Sequence, residues 1–382
     1  MGRGRVVSRT RAGRALAVGA AALLFAAGCS SGPSSAPSAP PSSPPPASSA
    51  PAPTGSPAAG TVRVAGTLTE GLKSPWGLAE LPGGDLLVSS RDERTVTRVD
   101  GHTGRQTPLG VVPGVEPGGE GGLLGLAVRE GWVYAYLTGG SDNRIVRMRY
   151  GGGAGDRLGA PEPVLAGLPK GFVHDGGRIA FGPDGMLYAG TGETGRAGLA
   201  QDRDSLGGKI LRMTPEGRPA PGNPFPDSLV YSYGHRNVQG LAWDADGRLW
   251  ASEFGQNTWD ELNLIRPGRN YGWPVVEGAA GRAGYTDPVA QWPTSEASPS
   301  GIAYARGAIW MAGLRGERLW RIPLSGAERS GEPVAFLEGE YGRLRTVQAT
   351  AGGDRLWLVT NETDSRGTPG PGDDRILRLE LG

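Results

Sequence analysis

Short apolar runs broken by Gly/Asp turns recur along most of this chain. Trp76-Gly77-Leu78-Ala79 leads through Pro82-Gly83-Gly84-Asp85 to Leu86-Leu87-Val88. Leu124-Gly125-Leu126-Ala127 leads to Trp132-Val133-Tyr134-Ala135, and Arg178-Ile179-Ala180 leads through Pro183-Asp184-Gly185 to Leu187-Tyr188-Ala189. The same unit returns at Gly240-Leu241-Ala242, Gly301-Ile302-Ala303 and Val347-Gln348-Ala349, followed by Leu249-Trp250-Ala251, Ile309-Trp310-Met311 and Leu356-Trp357-Leu358. Runs this short between turn residues are strands of hairpins, too brief for helices. A third run closes each unit, as in Thr97-Arg98-Val99, Ile145-Val146-Arg147-Met148, Ile210-Leu211-Arg212-Met213, Glu261-Leu262-Asn263-Leu264, Leu319-Trp320-Arg321-Ile322 and Ile376-Leu377-Arg378-Leu379. Six units at a period of roughly 45–60 residues predict an all-β chain folded as a six-bladed β-propeller. A pair of β-sandwiches would not account for so regular a repeat.

Composition agrees with many tight turns: 67 of the 382 residues are Gly. A formal net charge of +1 with no basic stripe argues against nucleic acid as a partner. The single cysteine, Cys29, excludes an intrachain disulfide and sits at an informative place. Arg3, Arg5, Arg9, Arg11 and Arg14 precede an apolar stretch over residues 15–27, which is too short to span a bilayer. Ala26-Ala27-Gly28-Cys29 then reads as a lipobox, so residues 1–28 are expected to be a lipoprotein signal peptide and Cys29 the lipidated N-terminus. Residues 29–60, almost wholly Ser, Pro, Ala and Gly, are expected to form a disordered tether to the membrane. Residues 61–382 hold the propeller, placed outside the cytoplasm on a membrane lipid anchor.

The repeat register points to the chemistry. Four residues before Arg178, Gly240 and Val347 lie His174, Arg236 and Arg343, which the register places at the rim of a central channel. Glu120, Asn237 and Arg345 belong to the same stretches. His174 is the candidate base, since a neutral imidazole accepts a proton near pH 7. His235 is expected to face away from the channel and support its loop, because neighbours on extended chain point in opposite directions. His102 belongs to a turn. The loop Gly255-Gln256-Asn257-Thr258-Trp259-Asp260-Glu261 offers oxygen atoms suited to Ca²⁺. Asp202, Asp204 and Glu193 read equally well as turn residues.

With these residues in view, the sequence resembles the soluble PQQ-dependent glucose/sorbosone dehydrogenase family, in its aldose sugar dehydrogenase branch. The resemblance is carried by Glu120-Gly121-Gly122-Leu123-Leu124-Gly125, His174-Asp175-Gly176-Gly177-Arg178, Gly207-Gly208-Lys209-Ile210-Leu211-Arg212, Asn270-Tyr271-Gly272-Trp273-Pro274 and Arg343-Leu344-Arg345. It implies a PQQ- and Ca²⁺-dependent oxidoreductase that converts aldose sugars to lactones and hands the electrons to an external acceptor. On this resemblance His174, Arg236 and Glu193 are catalytic, with Glu193 orienting the base. Arg236 and Asn237 hold the quinone oxygens, Arg343 and Arg345 clamp carboxylates, and Glu120, Arg315 and Gln201 complete the PQQ site. The carbonyls of Gly255 and Gln256 hold Ca²⁺. Glu120 stands where the family often has Gln, Thr346 where it has Asp, and Val173 where glucose-oxidising members carry an acid. Two other readings stay open at this level: a non-catalytic propeller that binds carbohydrate or protein, and a Ca²⁺-dependent lactone hydrolase. The latter calls for inward carboxylates, where this rim offers Arg and His.

Overall fold

The computed structural model describes residue 2 and residues 60–151 and 157–382. The signal peptide, Cys29 and nearly all of the tether lie outside these residues. Within them the chain forms six antiparallel sheets of four or more strands and no α-helix; a single 3₁₀ turn spans Ala197–Ala200. Blade 1 runs Pro75–Glu80, Leu86–Ser90, Thr95–Val99 and Gln106–Val111. Blade 4 runs Val238–Trp243, Leu249–Glu253, Trp259–Ile265 and Ala290–Pro293. Blades 2, 3 and 5 repeat the order with first strands Leu123–Arg129, Ile179–Phe181 and Pro299–Ala305. The six-bladed propeller expected from the repeats is the fold observed.

Each Gly-apolar-Ala run is the first strand of its blade. Residues from the first strands of all six blades line one central channel of about 360 Å³. Small residues belong there because neighbouring first strands approach closely. A Cβ on Gly77 would meet the Leu124 carbonyl oxygen at 2.5 Å, and one on Gly125 the Gly177 carbonyl oxygen at 2.3 Å. Leu, Val, Ile and Trp side chains fill the layers between blades, as where Trp250, Leu262, Ile309 and Met311 pack together with no exposed surface.

Blade 6 is built from both ends of the propeller. Leu344–Ala349, Arg355–Thr360 and Ile376–Leu381 supply three strands, and Val62–Thr69 supplies the outermost. Val62 pairs with Leu381 and Thr69 with Ile376, with bulges between. This closure ties the ring and removes two open sheet edges.

Candidate active site

In each blade the start of the first strand and the end of the second lie at the same edge, because the two are antiparallel. Loops at that edge, from several blades, enclose a cavity of about 300 Å³. His174 comes from the loop before the first strand of blade 3, Arg236 from that of blade 4, and Arg343 from that of blade 6. All three line the cavity, with Glu120, Asn237, Gly255, Arg315 and Arg345.

The repeat also supplies a device not read from sequence. In blades 3, 4 and 6 a glutamate at or just past the end of the second strand meets the residue at the shared register. Glu193 meets His174 Nδ1, Glu253 accepts the Arg236 backbone N–H, and Glu362 accepts the Arg343 backbone N–H at 2.6 Å. The signal was present as Gly192-Glu193-Thr194, Ser252-Glu253-Phe254 and Asn361-Glu362-Thr363, each at the end of an apolar strand or just past it.

His174 is held from every side. Its backbone is left-handed, φ +58°, a region unfavourable for residues other than Gly. Glu120 accepts its N–H at 2.8 Å, and its carbonyl accepts Thr194 N–H at 3.2 Å. Gly192 has to be glycine, since a Cβ there would lie 1.8 Å from the His174 carbonyl oxygen. Below it, Asp175 accepts hydrogen bonds from Asn143 Nδ2 at 2.8 Å and from Gly171 N–H at 3.0 Å. On the ring, Nδ1 faces the buried carboxylate of Glu193, while Nε2 lies 2.9 Å from Arg236 Nη2. Arg236 can only donate, so Nε2 is the acceptor and Nδ1 carries the proton. That tautomer presents a lone pair to the cavity.

The cavity is strongly cationic. Arg91, Arg236, Arg315, Arg343, Arg345 and Arg366 line it, against the carboxylates of Glu120 and Asp364. Asp364 accepts from Arg343 Nη2 at 3.0 Å and Arg345 Nη2 at 3.1 Å. Burial pushes its carboxyl up, but the two guanidiniums outweigh that and hold it below the ordinary value. Arg345 is fully enclosed, and desolvation lowers it to about 9 despite Asp364. Nε of Arg236 and Nε of Arg343 are buried without hydrogen-bond partners. Four more guanidiniums than carboxylates and two orphaned donors suit a planar, multiply charged anion, so the residues fit PQQ, which carries three carboxylates.

The other expected residues fall as follows. Glu120 splits its oxygens between His174 N–H and exposed Arg366 at 2.9 Å, so the loop it steadies is that of the base. Asn237 lines the cavity while its Oδ1 accepts Gly176 N–H at 3.0 Å. His235 is buried away from the cavity between Ser232 and Glu253 and stacks on Tyr271, as expected. Thr346 donates to the Trp76 carbonyl oxygen at 2.8 Å, in the channel floor. Gln201 is a correction: it does not line the cavity, because its amide is satisfied by Asn270, at 3.0 and 2.7 Å, and the Trp273 carbonyl at 2.6 Å. Gly255 lines the cavity, but its carbonyl accepts Arg236 Nη1 at 2.5 Å, and Gln256 is exposed. Two carbonyls, one facing a guanidinium, do not make a calcium cage of six to eight oxygens, so the residues present do not by themselves fit Ca²⁺. Among the described residues no cluster of three His, Cys, Asp or Glu side chains is placed to hold a metal. As site residues, Trp76 and Gln239 went unmarked because they belong to the apolar first strands of blades 1 and 4, and Arg91, Asp364 and Arg366 because they lie in loops without an outstanding motif.

Fold and site together define a propeller enzyme built to hold an anionic ligand against an oriented imidazole. The chain belongs to the glucose/sorbosone dehydrogenase family, whose model matches residues 72–369. The solved PQQ-bound aldose sugar dehydrogenase of Streptomyces coelicolor is 69% identical, with a TM-score of 0.83 over 85% of this chain and 99% of that one. Aldose sugar dehydrogenase YliI of Escherichia coli is 30% identical over 265 residues, which is 65% of this chain and 71% of that one. Quinoprotein glucose dehydrogenase B of Acinetobacter calcoaceticus is 32% identical over 252 residues, 56% of this chain and 53% of that one.

Proposed function

We propose that this protein oxidises aldose sugars at the anomeric carbon to the corresponding lactones, with PQQ as its cofactor. The observation that carries the proposal is the His174–Glu193 pair, with Nε2 turned into a cavity of six guanidiniums and held there by Arg236. PQQ, when bound, supplies a two-electron acceptor for the hydride leaving the sugar carbon. Arg343 and Arg345 would hold its carboxylates, and Arg236 and Asn237 its quinone oxygens. His174 takes the proton of the anomeric hydroxyl at Nε2, and Glu193 stabilises the imidazolium that results. Arg236 must give up its bond to Nε2 as the sugar hydroxyl takes that place. Asn143 and Gly171 hold Asp175, and Glu120 holds His174 N–H, so the base stays aimed while its charge changes.

Three finer points belong to the proposal. Ca²⁺ beside Gly255 and Gln256 requires oxygens from the cofactor and water, and its support is the family resemblance. An external acceptor reoxidises the cofactor. A lipid anchor at Cys29 places the enzyme outside the cytoplasm; palmitate labelling that survives Cys29→Ala would remove that part.

The test is dye-linked dehydrogenase activity of the purified protein on a panel of aldoses, with PQQ and Ca²⁺ added together or singly. Turnover that needs PQQ and disappears in His174→Ala is the expected result. Absence of both turnover and a PQQ absorbance change would leave a binding propeller in its place.

A further inference from the structure

Arg178, the residue just before the first strand of blade 3, is buried at 7% exposure and lines the central channel. Its Nε donates to the Gln239 carbonyl at 2.7 Å and its Nη2 to Thr346 Oγ1 at 3.1 Å. Its guanidinium carbon lies 4.4 Å from the centre of the Trp76 ring. None of these partners is charged, and the charged group that bears on it is another cation, Arg345. Arg345 approaches the same ring at 5.7 Å but has Asp364 to offset it. Arg178 has no such partner among the described residues.

A buried cation without a counter-charge is costly, and hydrogen bonds to neutral oxygens and a ring face offset only part of that cost. Trp76 and Gln239 line the active-site cavity. Gln239 takes Arg178 on its carbonyl and Arg345 on its side chain at 2.9 Å. The lone guanidinium is therefore one side-chain layer beneath the place where the anionic cofactor is held. Its charge acts through that layer and makes no contact with the cofactor.

We propose that Arg178 is a positioning charge that sets the cofactor's redox potential. Held beneath Trp76 without a carboxylate, it favours the reduced form of PQQ over the oxidised form and so raises the midpoint potential. The physical reason is that reduction adds two electrons, and a cavity with four more guanidiniums than carboxylates holds the quinol short of its second proton. The reduced form therefore carries more negative charge, and a fixed positive charge in a poorly screened site stabilises it. The inference rests on the reading of this cavity as a PQQ site.

The experiment measures PQQ affinity by titration and midpoint potential by spectroscopic redox titration, using the full-length protein and its Arg178→Gln, Arg178→Met and Arg178→Lys variants. If the unsubstituted protein binds no PQQ, the cofactor reading itself fails. Given binding, the neutral variants are expected to lower the ratio of reduced to oxidised affinity by about tenfold, a negative shift of about 30 mV for a two-electron couple. Arg178→Lys is expected to restore the potential at pH 6 and to drift below the unsubstituted protein as the buried amine loses its proton at higher pH. Burial lowers Lys209 of this chain to about 8. Neutral variants that bind PQQ at an unchanged potential would overturn the proposal. If neither neutral variant folds, the Lys variant decides. A potential offset equally at every pH, or equal to that of the unsubstituted protein throughout, overturns it.

Discussion

His174 spends backbone energy to be where it is, and the residues around it explain what removing each would do. His174→Ala is expected to lower kcat by about 10²–10⁴, the usual contribution of a positioned base, while PQQ affinity measured by titration persists. Glu193→Gln can still accept the Nδ1 proton but cannot balance an imidazolium, so its loss of kcat should fall between those of the native protein and the alanine variant. Asp175 is different, because its second oxygen is buried without a partner and burial raises its pKa from 3.8 to about 6. Between those values the folded state binds the extra proton, so stability falls as pH rises through that window and stays low above it. Asp175→Asn keeps the acceptor for Asn143 and removes the charge. Thermal unfolding should show it more stable than the native protein above pH 6, by up to about 3 kcal/mol, with the gain vanishing below pH 4. An unchanged pH profile would refute this. His174, Arg236 and Arg343 were legible because they share one register, while Arg345, two residues beyond it, came with the family resemblance. The carboxylates that hold them were not sought at a shared register, although Glu193, Glu253 and Glu362 repeat one.

At the scale of elements, what could be read in advance follows burial. First and second strands are enclosed by blades on both sides, so Gly240-Leu241-Ala242 and Leu249-Trp250-Ala251 stand out as continuous apolar runs. Outer strands touch solvent and carry a weak pattern: in Gln106–Val111 only Leu109 is buried. Residues 62–69, Val-Arg-Val-Ala-Gly-Thr-Leu-Thr, fell inside the expected propeller, but their pairing with the last strand is non-local and no short-range pattern announces it. That strand anchors by Leu68, packed with Val359 and Ile376 of blade 6 and with Leu86 of blade 1. Leu68→Ala should cost about 2–4 kcal/mol in chemical denaturation, a core-sized loss for a strand at the ring's seam. A loss below 1 kcal/mol would mean the closure contributes little to the native state.

The molecule as a whole is close to neutral, yet sets six guanidiniums against two carboxylates around a cavity at one end of its channel. Like charges gathered in a poorly hydrated cavity oppose folding until an anion joins them. PQQ should therefore raise the unfolding temperature in a concentration-dependent way, by about 2.7 kcal/mol of stability at 100 times Kd. Repeating the scan with EDTA separates the metal's share: an unchanged PQQ shift would remove calcium from the site, and a reduced one would support it. A different consequence follows from the seam in blade 6. The strand that begins at Val62 is among the first parts of the propeller to be synthesised, and its partner through Leu381 is made roughly 320 residues later, a wait of roughly 15–65 s at ordinary elongation rates. Until then the outer strand of blade 6 has no partner and must remain unpaired or pair wrongly. The ring can shut only once Leu381 has been made, so a ribosome that stalls before it leaves an open sheet edge exposed to neighbouring chains.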